Sequence, residues 1–195
     1  GEDEDAAGGN TINGAGSTYI YKFNGINWVQ MQKIVASDRA GNDNFGWSVS
    51  ISGNYAIVGA YLEDEDPAGG NTLLQSGSAY IYEYNGSVWV QVQKIVASDR
   101  AAFDIFGWSV NISGTYAIVG ARDEDEDTAG LNTMSNAGSA YIFERIAGAW
   151  TQVQKIVASD RAAGDFFGSS ISISDNYTIV GAYLEDEDAT GGNSM

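Results

Sequence analysis

The sequence predicts an all-β protein: four-stranded antiparallel blades of a β-propeller or propeller-like repeat array, about three blades in this chain. Three observations predict it. First, the 195-residue sequence repeats with a period of 61 residues. Trp28, Trp89 and Trp150 keep that spacing, as do Phe45-Gly46, Phe106-Gly107 and Phe167-Gly168. Lys33 to Arg39, Lys94 to Arg100 and Lys155 to Arg161 all read K-I-V-A-S-D-R. A regular period of this length marks an array or propeller. Second, each period holds four short runs of alternating character, rich in β-branched and aromatic residues. Third, no run has the apolar spacing of an amphipathic helix.

In the middle copy the runs follow one another in order. Trp47 to Ser52 alternates Trp47, Val49 and Ile51 with serines. Tyr55 to Tyr61 reads Y-A-I-V-G-A-Y. In Ser78 to Tyr84, Tyr80, Tyr82 and Tyr84 alternate with Ala79, Ile81 and Glu83. In Val88 to Val96, Val88, Val90 and Val92 share one face, and Trp89, Gln91 and Gln93 the other. Ser52-Gly53-Asn54 and Asn85-Gly86-Ser87 carry the turn chemistry between them. The period divides the chain four ways. Residues 1–40 are the second half of a blade, preceded by an acidic loop. Residues 41–101 and 102–162 are full repeats. Residues 163–195 are the first half of a blade, followed by an acidic loop. Three blades are fewer than the usual four to eight of a closed ring. The expectation is a window on a longer array, or copies joined head to tail into a ring or a filament.

The repeat F-G-W-S-V-x-I-S-x-x-Y-A-I-V-G-A, then G-S-A-Y-I-Y and W-x-Q-x-Q-K-I-V-A-S-D, resembles the FG-GAP repeat family. That family includes the propeller of integrin α-subunits and many bacterial surface proteins. The resemblance runs in register along nearly the whole chain. It implies a noncatalytic, adhesive role and an extracellular or cell-surface setting. Integrin-type repeats often carry a D-x-D-x-D-G calcium loop between the first and second strands. Here that hairpin is the short Ser52-Gly53-Asn54, Ser113-Gly114-Thr115 or Ser174-Asp175-Asn176, so the family's calcium site does not carry over.

The charge sits elsewhere. The chain has 26 acids, 9 bases and a net charge of −17. The acidic runs Glu2 to Asp5, Glu63 to Asp66, Asp123 to Asp127 and Glu185 to Asp188 hold 17 acids, as many as the net charge. They fall in the loop between the second and third strands. Neighbouring carboxylates repel, so such a loop calls for a counter-ion, and calcium is the hard cation that takes oxygen ligands. Four sets are candidates: Asp3, Asp5 and Asn10; Asp64, Asp66 and Asn71; Asp125, Asp127 and Asn132; Asp186, Asp188 and Asn193. The spacing is not an EF-hand, because Thr128 stands where that loop needs glycine. The competing reading is a set of solvated loop tips that keep the protein soluble.

Other features read as structural. Asp38, Asp99 and Asp160 precede arginines, and Asp43, Asp104 and Asp165 precede the Phe-Gly pairs. Such aspartates satisfy turn amides, and the arginines tie loops between blades. The tryptophans at 28, 89 and 150 are either packing groups between blades or sugar-stacking platforms. Asn85, Asn111 and Asn176 open short glycosylation sequons. Without Cys or His there are no disulfides, thiol nucleophiles, imidazole bases or zinc sites of the usual kind. The strong negative charge argues against nucleic acid and anionic membranes as partners. No apolar run is long enough to span a bilayer. The chain opens at Gly1 without a signal peptide or initiator Met, as expected of a mature product or a fragment.

The expected function is a noncatalytic surface protein acting in adhesion or as a structural fibre. Its blades would be completed head to tail by neighbouring repeats or by copies of itself. The alternative is a closed propeller within a larger surface protein that binds a protein or glycan.

Overall fold

The computed structural model describes residues 4–186, and among these residues there are twelve strands and no helix. They are β1 (Thr18–Phe23), β2 (Trp28–Ile34), β3 (Ser48–Ser52), β4 (Tyr55–Ala60), β5 (Ser78–Tyr84) and β6 (Trp89–Ile95). The second half repeats them as β7 (Ser109–Ser113), β8 (Tyr116–Ala121), β9 (Ser139–Ile146), β10 (Ala149–Ile156), β11 (Phe167–Ser174) and β12 (Tyr177–Ala182). Two antiparallel four-stranded sheets, β3-β4-β5-β6 and β7-β8-β9-β10, lie between two-stranded sheets β1-β2 and β11-β12. The sheets do not close into a ring.

Local chemistry sets each strand pair. The β3–β4 hairpin turns through Gly53 and Asn54 with Ser52 opposite Tyr55. Gly53 takes φ 57°, which glycine reaches without steric cost. At the β5–β6 turn, the Asn85 side chain accepts the amides of Ser87 and Val88. The β5–β6 register slips between Ile81 and Tyr82, a bulge that recurs in β1–β2 and β9–β10. A bulge bends and twists the strand.

The core lies between sheets, not within one. Ile57, Ile81 and Ile95 of one sheet meet Val110, Ile112 and Val119 of the next. The opposite face of that first sheet, through Ala56, Val58 and Tyr80, packs on Ile20 and Ile34. Both faces of a full blade are therefore covered only because a neighbour sits on each side. The position of Trp in the repeat shows the same dependence. Trp89 and Trp150 are 7% and 3% exposed, but Trp28, with no blade before it, is 70% exposed. Trp89 and Trp150 pack between blades. The tyrosine row does likewise, with Tyr80 and Tyr82 buried.

The Phe-Gly pair and the glycine of Y-A-I-V-G-A meet across the blade boundary. Phe106 is fully buried against Tyr141. A Cβ at Gly59 would overlap the carbonyl oxygen of Gly107 on the next blade, and one at Gly120 would overlap that of Gly168. Hydrogen bonds then lock the stack at both edges. Ser48 Oγ donates to the Gly107 carbonyl at 2.8 Å, and the Gln32 side chain bonds both the N–H and the C=O of Trp89. Gln93 does the same to Trp150.

Candidate functional site

The acidic loop follows the second strand of each blade. In sequence it is a run of four or five like charges. In space the run divides, with its first glutamate turning inward and its aspartates turning outward. Glu63 and Glu124 are 3% and 2% exposed. Glu63 accepts from the Ser78 hydroxyl and the Glu65 amide and lies 2.8 Å from Lys94 Nζ. Lys94 also reaches Asp38 at 2.8 Å, from the loop before the blade. The next blade repeats this with Lys155, Glu124 at 2.9 Å and Asp99 at 2.8 Å. Burial works against the Lys155 ammonium, but Asp99 and Glu124 outweigh it and hold its pKa above the usual value. Each buried glutamate thus lies against a lysine Nζ, the partner that an isolated buried glutamate would lack.

The outward aspartates cap the loop. Asp66 Oδ1 accepts the amides of Ala68 and Gly70, and its Oδ2 accepts the Asn71 side-chain amide at 2.6 Å. Asp127 repeats this with Ala129, Leu131 and Asn132. Asp5 does so with the amides of Ala7, Gly9 and Asn10. These donors hold all three carboxyls below the ordinary value. Asp64 turns to a different part of the loop, accepting the Gln75 amide at 2.6 Å, and Asp125 accepts that of Asn136 at 2.7 Å.

The structure therefore brings Asp66 to Asn71 and Asp127 to Asn132, and sets Asp64 and Asp125 to separate work. Asp5 and Asn10 meet through the Asn10 amide. Asp186 ends the described chain, and Asp3, Asp188 and Asn193 lie outside the described residues. As arranged, the capping carboxylates are filled with N–H donors and do not form the six- to eight-oxygen cage that calcium takes. An acidic cluster is present elsewhere. Asp99, Glu124 and Glu126 place carboxylate oxygens within 4.8 Å of one another. The Lys155 ammonium already bonds two of the three.

The loop is also bound to its neighbour. Arg100 donates to the carbonyls of Asn71 and Asp64 and to Ser76 Oγ, and Arg161 donates to those of Asn132 and Asp125. Each K-I-V-A-S-D-R arginine thus ties the acidic loop of the blade before it. Asp43, Asp104 and Asp165 accept the amides of Ala40, Ala101 and Ala162, three residues back. Burial pushes Asp43 up to about 6 and Asp104 up to about 7, against the pull of those amides. These aspartates are turn groups, as their sequence context implies. Asn111, in a sequon, spans three blades by donating to Ser50 and accepting from the Ile173 amide.

Sequence reasoning missed two features. One is the buried lysine. The register sets Lys94 opposite Tyr80, a fully buried ring, so strand alternation placed the ammonium on the core face. The other is a row of rings along one side of the stack. Trp47 lies 4.7 Å from Tyr61 and 4.8 Å from Trp108, Arg122 sits 3.6 Å above Trp108, and Phe166 stacks on Tyr183. Only the stacking of blades brings these together.

No helix of the described residues is long and apolar enough to cross a membrane. No curated protein matches the chain significantly. A family model described as FG-GAP repeat matches residues 28–82, 89–143 and 150–194 in succession. Those three matches take in the Phe-Gly pairs, the inter-blade tryptophans and the acidic loops capped by Asp66 and Asp127. The chain belongs to the FG-GAP repeat family.

Proposed function

We propose that the protein is a noncatalytic extracellular repeat protein that serves as a structural or adhesive surface fibre, its blades joined head to tail. The observation that carries this reading is the mutual cover of successive blades. A full blade meets one neighbour through Ile57, Ile81 and Ile95 and the other through Ala56, Val58 and Tyr80, and the close approach of Gly59 to Gly107 recurs as that of Gly120 to Gly168. A head-to-tail contact of this kind extends without limit unless its rotation closes. Asp66 and Asp127 cap turns, and Lys94, Lys155, Arg100 and Arg161 hold loops and blades together, which suits a scaffold. Negative-stain images of the chain at micromolar concentration should contain fibres. Isolated discs in every field would contradict the fibre.

A second reading, a propeller module that binds a protein or glycan, is favoured by the aromatic row from Trp47 to Tyr183. Trp47 is 51% exposed and Tyr183 60% exposed. Exposed aromatic rings suit a binding surface.

Calcium belongs to this proposal as the cation class for the acidic loops. Its support is the recurrence of the Asp-x-Asp spacing ahead of Asn71 and Asn132. Any ion held there must displace the amides that now fill Asp66 and Asp127. A ligand that binds only the folded state raises the melting midpoint. Millimolar calcium is expected to raise it, and an unchanged midpoint would leave the runs as self-capped loops.

A further inference from the structure

We propose that the crossover between successive blades carries a proton-operated catch. A buried aspartic acid in the crossover, Asp43 or Asp104, holds a proton while the blades are closed on each other, and its ionisation loosens the boundary. All parts of the catch lie in successive blades of this chain, so it serves a fibre and a closed propeller alike.

The crossover from β6 to β7 is pinned on both sides. Toward the blade it leaves, Phe103, Ile105 and Phe106 donate their amides to the carbonyls of Leu74, Gln75 and Ser76 at 2.8, 3.1 and 3.0 Å. Toward the blade it enters, Asp99 bonds Lys155, and Phe106 packs on Tyr141. Asp104 sits inside this turn, 6% exposed, and accepts the Ala101 amide at 2.6 Å. Phe103 and Ile105 on either side of it take φ 73° and 51°. The carboxyl can swing out to water only if the turn gives up its backbone bonds. The crossover into the first full blade repeats the arrangement. Asn42, Asn44 and Phe45 donate to Asn13, Gly14 and Ala15, and Asp43, also 6% exposed, accepts the Ala40 amide at 2.6 Å.

Charge makes the turn sensitive. Asp104 faces Glu124 and Asp99, with Lys155 as the cation among them. Glu126 brings a further carboxylate within 4.8 Å of Asp99 and Glu124. Lys155 is already shared between Asp99 at 2.8 Å and Glu124 at 2.9 Å. Arg100, on the same crossover, donates to two carbonyls and to Ser76 Oγ. Burial and the neighbouring acids keep the proton on the Tyr141 hydroxyl. An ionised Asp104 would therefore add a negative charge to an enclosure whose ammonium already serves two acids. Asp43 meets the equivalent set in Glu63, Asp38, Lys94 and Tyr80. Burial above all, with those acids, raises Asp43 to about 6 and Asp104 to about 7.

A carboxyl raised on folding binds its proton more tightly folded than unfolded. Its contribution to stability is complete below the ordinary value of 3.8 and is lost as pH rises through 6 and 7. The capping carboxyls Asp5, Asp66 and Asp127 are held low and change charge below that window. Urea unfolding of the full chain at pH 5 and pH 8 is the test. The folding equilibrium constant should drop between them, by about tenfold through Asp43 and about a hundredfold through Asp104. Asp104→Asn keeps an oxygen for the Ala101 amide and removes the ionisable group. It should flatten the dependence and raise the urea midpoint at pH 8. Asp175→Asn, in the exposed β11–β12 turn, removes an equal charge and should keep the parent slope. Carbon NMR of the parent chain reads the proton without any substitution, and the Asp104 carboxyl should titrate near pH 7. A midpoint that is level or higher at pH 8 would overturn the catch. So would an Asp104→Asn variant as pH-dependent as the parent, or an Asp104 carboxyl that titrates at its ordinary value.

Discussion

Replacing Lys155 by methionine should cost about 3–5 kcal/mol, read as a large fall in the urea midpoint. Its side chain is 6% exposed and lies between Glu124, 3% exposed, and Asp99. Methionine preserves the length and apolar stem of lysine but removes the ammonium that bonds both acids. Two carboxylates then face each other with their neutralising partner gone. The lysine also sits 5.6 Å from the centre of the Tyr141 ring, so some packing is lost. Charge and packing separate in a combined variant. Lys155→Met with Glu124→Gln and Asp99→Asn removes the buried negative charge, and most of the lost stability should return. A single variant within about 1 kcal/mol of the parent would show that the trio is no more than a surface ion pair.

The second large effect concerns the blade boundary. Gly59→Ala should destabilise by about 4 kcal/mol or prevent folding, because the new methyl would overlap the Gly107 carbonyl of the next blade. The neighbour is backbone and cannot rotate away. It also accepts the Ser48 hydroxyl, so moving it breaks an inter-blade hydrogen bond. The control is Gly53→Ala in the β3–β4 turn, where a Cβ meets nothing within 4 Å. That change carries only the strain of a positive φ, about 1–2 kcal/mol. Equal losses at the two sites, measured by thermal or urea unfolding, would mean that blade spacing is not set by close glycine contact.

Much of this fold is legible in one sequence because the repeat prints it three times. The tryptophan and Phe-Gly spacings give the period, and alternation places the strands to within a residue or two. Turn residues such as Gly53 and Asn85 mark the connections. The acidic loop is legible only in part. A run such as Glu63 to Asp66 looks uniformly solvated. Whether its members point in or out depends on Lys94, on the far strand of the blade, and on Asp38, from the preceding loop. Those contacts come from stacking, which has no local signature. The same holds for Asp66, whose capping donors lie within five residues. Asp-Pro-Ala-Gly-Gly-Asn contains that information, but an acid followed by glycines reads equally as a cation loop. The exposure of Trp28, Val49, Ile51 and Ile179 follows from the period alone, once each is seen to lack the neighbour its copies have.

The whole account rests on blades that have no interior of their own. Ile57 and Ile81 are covered by the next sheet, and Tyr80 and Ala56 by the sheet before. Thermal melting of residues 41–101 made alone tests this most directly, followed by far-UV circular dichroism beside the full chain. The account predicts no cooperative transition in the lone module and a cooperative one in the chain of 195 residues. A lone module that melts cooperatively near the midpoint of the full chain would contradict it.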